Sequence, residues 1–155
     1  MILPITMTIA GAAAILNAWL GVRCSLRRRC AGISLGDGGD AIMAARMRAH
    51  ANFIEYTPII LILIGLIELA EGSSVLLWVV GVAYILARVL HAIGMEGPLQ
   101  LRVLGIIVTF ATLIGLGLWA AAIPFTSTGK VPDSVQMGAA MSGWLPHVSL
   151  HYPLQ

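Results

Sequence analysis

Long stretches without charged residues decide what this chain can fold into. Residues 2–22 carry no charge, and a helix that crosses the hydrocarbon core of a bilayer needs about 20 residues at about 1.5 Å each. Only 10% of all residues are charged, whereas soluble domains carry about 25%. Similar apolar stretches predict four spanning helices, at residues 2–22, 49–70, 74–93 and 103–123.

These stretches predict an all-α integral membrane four-helix bundle over residues 1–124, followed by an extramembrane tail at 125–155. A cleaved signal peptide at the start is the alternative, but its basic residues would precede the apolar run. Here they follow it, as Arg23, Arg27, Arg28 and Arg29. Because short arginine-rich loops stay in the cytoplasm, loops 23–45 and 94–101 are predicted to be cytoplasmic, with both termini on the opposite side.

The remaining loop and tail features predict no chemistry of their own. Cys24 and Cys30 fit no common zinc spacing, so no metal is expected. The glycine-rich segment 32–40 lacks the ending of a phosphate loop and is interpreted as a linker. No basic stripe with interleaved aromatics indicates nucleic-acid binding. His147 and His151 lie among prolines and are interpreted as part of a solvated tail.

The second predicted span opens with an unusual row of polar residues. On a helix of 3.6 residues per turn, Arg48, Asn52 and Glu55 share one face, and Tyr56 borders it. Ionisable residues at membrane depth mark either a binding or transport site or an internal ion pair. The row offers a cation, an amide, a carboxylate and a phenol, which suits a zwitterionic ligand. His50 lies about 200° from Arg48 and is expected to meet a different neighbour, such as another subunit.

A second polar cluster ends the third span and is predicted to lie on the same side of the membrane. Tyr84, Arg88 and His91 recur at helical spacing. Arg88 requires a partner, for which Glu55 is one candidate. Arg102 opens the fourth span, where the helix dipole does not favour a cation. It is either a snorkelling interfacial residue or a guanidinium that stabilises a thiolate.

Two stretches resemble a known family. Residues 48–58, RAHANFIEYTP, resemble the glutathione-binding signature of the MAPEG proteins, Arg-x-x-x-Asn-x-x-Glu-Tyr-x-Pro. Residues 81–103, GVAYILARVLHAIGMEGPLQLRV, resemble the third helix and following turn of leukotriene C synthase, including its closing Gln-Leu-Arg. The family also contains microsomal glutathione transferases, the membrane prostaglandin E synthase and a non-catalytic lipoxygenase-activating protein. The resemblance covers about residues 1–124.

The resemblance implies a ligand, an assembly and a set of site residues. Glutathione is the implied co-substrate, and the implied assembly is a homotrimer with sites between adjacent subunits. Arg102 is the implied catalytic residue, which activates the glutathione sulfur. The implied glutathione contacts are Arg48, His50, Asn52, Glu55, Tyr56, His91, Gln100 and, from the first loop, either Arg23 or Arg27.

Two departures from the family pattern leave three hypotheses. His91 and Met95 occupy positions where the family often carries tyrosines, and Met95 has no hydrogen to donate. The favoured hypothesis is a glutathione transferase or peroxidase acting on a lipophilic electrophile from the bilayer. The second is a non-catalytic binding protein for glutathione or a lipid, which Met95 favours. The third is a small transporter with Glu55 and Arg88 in its pathway.

Overall fold

The computed structural model describes residues 2–126 and consists there of four α-helices. Their bounds are α1 Pro4–Ala31, α2 Ala41–Glu71, α3 Val75–Gly94 and α4 Leu99–Thr126. Each is long and apolar enough to cross a membrane. The chain is therefore an all-α, multi-pass integral membrane protein, which confirms the fold class predicted from its charge-free runs. The predictions for the tail histidines lie outside the described residues.

The helices are longer than the predicted spans at the arginine-rich end of the bundle. Most of the predicted loop 23–45 is helical, and only residues 32–40 connect α1 to α2. Gly32 ends α1 with a left-handed φ of 66°, and the Asp40 side chain accepts a hydrogen bond from Met43 N at 2.7 Å to start α2. The arginines, leucines and alanines of this end favour helix, so the helices continue past the apolar stretches until these caps stop them.

Small residues let the helices approach closely. A Cβ added to Gly81 of α3 would lie 2.8 Å from Cγ1 of Ile9 on α1, so the Ile9 side chain packs directly against the backbone of α3. Close packing at small residues is the usual basis of helix association in membranes, where the hydrophobic effect provides no driving force between helices. The core around this contact contains large apolar side chains, which are Ile5, Ile9, Ile60, Ile64, Ile67, Leu77, Tyr84 and Leu116.

At the opposite end, Glu68 of α2 caps α1. Leu3 provides no side-chain cap for this helix. Instead, the buried Glu68 carboxylate accepts hydrogen bonds from Ile5 N at 2.9 Å and Thr6 N at 2.8 Å. The hydroxyls of Thr6 and Ser73 donate to it at 2.7 and 2.8 Å. A negative charge at a helix N-terminus satisfies free N–H groups and favours the dipole, so this contact holds α1 against α2.

At the arginine-rich end, Glu96 in the α3–α4 turn joins three helices. Arg46 of α2 donates to both carboxylate oxygens, at 3.0 and 2.9 Å. Arg23 of α1 forms a further ion pair with Glu96 and donates to Ala92 O of α3. Arg46 also donates to the carbonyl of Arg23 at 2.9 Å. This network, called here the Glu96 network, fixes the α3–α4 turn against α1 and α2.

Candidate functional site

A pocket of about 260 Å³ lies near the arginine-rich end and brings together residues from three helices and a turn. Within residues 2–126, no acidic side chain lines it, whereas two guanidinium groups do. It is called here the arginine pocket. Its lining consists of Arg48 and Asn52 of α2, His91 of α3, Met95 of the α3–α4 turn, and Arg102 and Ile106 of α4.

Two glycines that the sequence analysis did not single out allow this convergence. A Cβ on Gly105 of α4 would lie 2.6 Å from Cβ of His91 and 2.7 Å from the carbonyl oxygen of Ala87. A Cβ on Gly94 would lie 2.3 Å from the backbone nitrogen of Arg102. The two helices therefore meet without intervening side chains, which places Arg102 next to His91. Small residues in the apolar stretches were the available sequence indication of this contact.

Two residues of the predicted polar face lie outside the lining. The Glu55 carboxylate is 3.7 Å from Nη1 of Arg48, and the two side chains are 47% and 65% exposed, respectively. Tyr56 packs its ring edge-on against Phe110, with centroids 5.5 Å apart. The structure thus contains the Arg48–Glu55 pair. The alternative pair of Glu55 with Arg88 is wrong, since Arg88 forms no ion pair within residues 2–126.

His50 and Gln100 also lie outside the lining. His50 Nε2 is 2.9 Å from the side-chain oxygen of Asn17 on α1. The expected different neighbour of His50 is thus α1 of the same chain. Gln100 is exposed in the first turn of α4. Their proposed contact with a ligand stays a prediction.

Arg23 and Arg27, the two candidates from the first loop, are both engaged in ion pairs. Arg23 belongs to the Glu96 network. Arg27 pairs with Asp40 at the start of α2, and its guanidinium holds the pKa of that carboxyl below the usual range. Neither side chain lines the arginine pocket. A role for either in ligand binding requires that its ion pair open or be shared.

Arg88 lies in the interior of the bundle with 1% of its surface exposed. Its Nη1 donates to the Thr109 hydroxyl of α4 at 3.2 Å, and its guanidinium carbon is 5.9 Å from the centroid of the Phe53 ring. The Tyr84 hydroxyl, one turn earlier on α3, pairs instead with Thr57 at 2.7 Å. Within residues 2–126, the contacts of the Arg88 guanidinium are therefore a hydroxyl and the face of a ring. Neither group is negatively charged.

The other cavities of the described residues have fewer polar side chains in their walls. A cavity of about 470 Å³ is lined by Asp37 and Met47, among others, and shares Arg48 with the arginine pocket. A groove of about 430 Å³ between α1 and α3, and one of about 300 Å³ between α1 and α2, have almost entirely apolar walls. Ligand sites combine an apolar pocket with a few convergent polar groups. The arginine pocket fits that description best among the described residues.

Comparison with known proteins adds a family and a partial relative. The sequence model of the MAPEG family matches residues 6–122, which is most of the chain. Two proteins named inner membrane protein YecN, from Escherichia coli strain K12 and from Escherichia coli O6:H1, are each 27% identical over 62 residues. That alignment covers 40% of this chain and 47% of the relative. The chain thus spans about half the length of the curated relatives it matches.

Proposed function

The chain belongs to the MAPEG family, and on that premise we propose that it is a membrane-bound glutathione-dependent transferase or peroxidase. Glutathione is the co-substrate, and its thiol is activated as a thiolate. The second substrate is a lipophilic electrophile that reaches the site from the bilayer.

One observation carries this proposal, namely that Arg48, Asn52, His91 and Arg102 line one pocket that no acidic side chain of the described residues lines. A lining of this kind favours an anionic ligand, and glutathione has two carboxylates. Guanidinium groups bind carboxylates in bidentate geometry, and an asparagine amide suits a peptide group. Glu55, which pairs with Arg48 next to the pocket, provides a carboxylate for the ligand ammonium group.

Arg102 is the residue that we assign to thiol activation. A guanidinium stays protonated at all accessible pH values and stabilises a nearby thiolate, which is the nucleophilic form of a thiol. The thiol proton passes to solvent, and the sulfur lone pair then forms a bond to the electrophilic carbon of a conjugated substrate or to one oxygen of a peroxide. The electron pair of the bond that breaks leaves with the departing group. The fixed charge thus favours the state in which negative charge lies on sulfur.

The outer surface of α4 offers a route for an apolar substrate. Val103, Leu104, Ile107 and Phe110 are all more than 40% exposed. They follow Arg102 along the same helix and border Ile106 of the pocket. In a membrane these side chains face lipid or another apolar surface. An electrophile dissolved in the bilayer therefore meets the pocket from the side, without crossing the water phase.

The test is the ultraviolet absorbance of the glutathione thiolate on detergent-purified protein near neutral pH. We expect thiolate on the wild type and its loss in Arg102→Ala, while Arg102→Lys retains part of it. Arg29→Ala is the matched control, since it removes an exposed arginine at the end of α1. If glutathione neither binds nor ionises on the wild type, the proposal is wrong. Equal thiolate in wild type and Arg102→Ala removes Arg102 from the mechanism.

A second candidate function is glutathione or lipid binding without chemistry. Met95 favours it, since it lines the arginine pocket and donates no hydrogen bond to a developing charge. This function predicts saturable glutathione binding with no conjugate formed from any of a panel of lipophilic electrophiles. In Met95→Tyr, which restores a hydroxyl donor, we expect turnover to appear if the missing donor is the cause.

We propose a homotrimer as the working assembly, following the family resemblance. Its support in this chain is that Arg48 and Arg102 are both exposed although they line the pocket. An adjacent subunit would cover that open side. Light scattering of the protein in detergent, corrected for bound detergent, is expected to give three times the chain mass of 16.4 kDa. A monomeric mass at concentrations that support glutathione binding would refute the shared site.

A further inference from the structure

Arg88 is the one buried side chain within residues 2–126 whose polar atoms are incompletely satisfied. Among the described residues, its Nε has no hydrogen-bond partner, and no carboxylate of that part of the chain lies within 4 Å of its guanidinium. Its positive charge is buried with 1% exposure. Burial of an unpaired charge is strongly unfavourable, and a buried group left in this state requires an explanation, such as a catalytic role or a missing ion.

The position of Arg88 relates it to the arginine pocket. Arg88 precedes the pocket residue His91 by three positions on α3, which is about 4.5 Å along the helix. Its contact on α2 is Phe53, the residue after the pocket's Asn52. Its contact on α4 is Thr109, which follows the pocket's Ile106 by three residues. The other two helices that line the pocket, α2 and α4, therefore both contact Arg88, which lies about one turn from the pocket on α3.

The charges near Arg88 and Arg102 indicate which ligand charge these two guanidinium groups could balance. The groups that face Arg88 are Glu55 and Tyr56 from α2 and Tyr84 from its own helix. The pocket residue His91 follows Arg88 by three positions on α3, and its Nδ1 lies 3.4 Å from the backbone carbonyl oxygen of Arg102. Glu55 forms its ion pair with Arg48, so within residues 2–126 Arg88 and Arg102 are the two guanidinium groups at the pocket without a carboxylate within 4 Å. Glutathione as a thiolate has two carboxylates, one ammonium group and one sulfur anion, which is a net charge of minus two.

We propose that Arg88 is a positioning residue of the arginine pocket, whose buried charge holds the bound ligand in its thiolate form from below while Arg102 contacts the sulfur. This inference rests on the proposed function. It acts through the electric field of the guanidinium and needs no direct contact with the ligand. It also explains why an arginine lies in the bundle interior with no carboxylate partner in the described part of the chain.

The experiment measures the thiolate absorbance of bound glutathione against pH in wild type and Arg88→Met. Two charges about 10 Å apart at an effective dielectric constant of about 20 interact strongly enough to move a titration by roughly one pH unit. The thiol bound to Arg88→Met is therefore expected to titrate about one unit higher than on the wild type. Arg29→Met, which removes one exposed charge of the same sign, is expected to leave the titration unchanged because solvent and salt screen it.

Arg88→Lys separates the charge from the shape of the side chain, and it decides the matter if Arg88→Met fails to fold. Lysine keeps the positive charge and loses the planar guanidinium group. The glutathione thiol bound to Arg88→Lys is therefore expected to titrate within a few tenths of a pH unit of the wild type. A displacement in Arg88→Lys as large as one unit would overturn the proposal, as would an Arg88→Met curve that overlays the wild type. A wild type that binds no thiolate refutes the proposed function itself, which distinguishes the two failures.

Discussion

Substitution of Glu68 by glutamine tests whether one buried carboxylate holds α1 in place. Each carboxylate oxygen of Glu68 accepts two hydrogen bonds, with donor distances of 2.7 to 2.9 Å. Glutamine keeps one acceptor oxygen and replaces the other by an NH₂ group, which faces a backbone N–H that has nothing else to bond. A hydrogen bond to a charged group contributes about 1.5–3 kcal/mol, and the favourable interaction with the helix dipole contributes about 0.3–1 kcal/mol.

Two of the four hydrogen bonds therefore lose their acceptor in Glu68→Gln. Hydroxyl donors can turn to accept from the new NH₂ group, so we expect a net loss of about 3 kcal/mol rather than the full sum. For a chain of this size that corresponds to a decrease in Tm of roughly 6–12 °C. The assay is thermal unfolding in detergent, followed by the loss of far-ultraviolet circular dichroism.

Glu71→Gln is the matched control, because it makes the same chemical change three residues later on α2. Glu71 is exposed and accepts one hydrogen bond, from Trp119 Nε1 at 3.0 Å. Its substitution is expected to lower the free energy of unfolding by less than about 1 kcal/mol. Similar decreases in the two variants, or an unchanged Tm in Glu68→Gln, would refute the argument that buried capping across helices stabilises α1.

Three further variants test other parts of the structure. Glu96→Gln weakens the ion pairs that join the α3–α4 turn to α1 and α2, and is expected to cost about 1 kcal/mol in detergent unfolding and to reduce glutathione affinity. Because Arg27 lowers the pKa of Asp40, that pair stabilises the fold above the ordinary aspartate pKa and loses its contribution as pH falls below it. The difference in Tm between wild type and Asp40→Asn should therefore shrink in acid, and a pH-independent difference would contradict the pairing. Gly105→Ala forces α4 away from α3, so it is expected to lower the free energy of unfolding by about 1–3 kcal/mol and to abolish thiolate formation. Gly115→Ala on the same helix is the control, because a Cβ at that position would have no atom of a neighbouring helix within 4 Å among the described residues. It should leave the free energy of unfolding unchanged or raise it by about 0.5–1 kcal/mol.

The fold was predictable because the energetics of the bilayer act on composition. A spanning helix must exclude charge over about 20 residues, so the apolar runs alone gave the number and approximate position of the helices. Helix ends depend on other causes. Gly32 and Asp40 stop α1 and start α2 through left-handed backbone and a side-chain cap, and neither depends on hydropathy. The predicted helix ends therefore marked the limits of the apolar stretches, whereas the actual ends are set by these capping residues.

The candidate site was predictable only along single helices. The helical period correctly put Arg48, Asn52 and Glu55 on one face, but a helix also rises about 1.5 Å per residue. Glu55 thus lies about 10 Å along the axis from Arg48 and pairs with it from the next level, outside the pocket lining. The approach of Arg102 to His91 depends on how α4 crosses α3. That crossing depends on the packing of Gly105 against α3, which the spacing of residues within one helix does not predict.

The arginines show most directly what structure adds. Within residues 2–126 there are eight, and their residue type alone does not separate structural from functional roles. Carboxylate partners within 4 Å do separate them, since four form ion pairs: Arg23, Arg27, Arg46 and Arg48. Of the others, Arg28 and Arg29 end α1 at the arginine-rich surface, where its dipole favours cations. In the described chain, only Arg88 and Arg102 lie at or near the pocket and have no carboxylate within 4 Å. The positive charges without an ion-pair partner therefore lie where an anionic thiolate is proposed to bind.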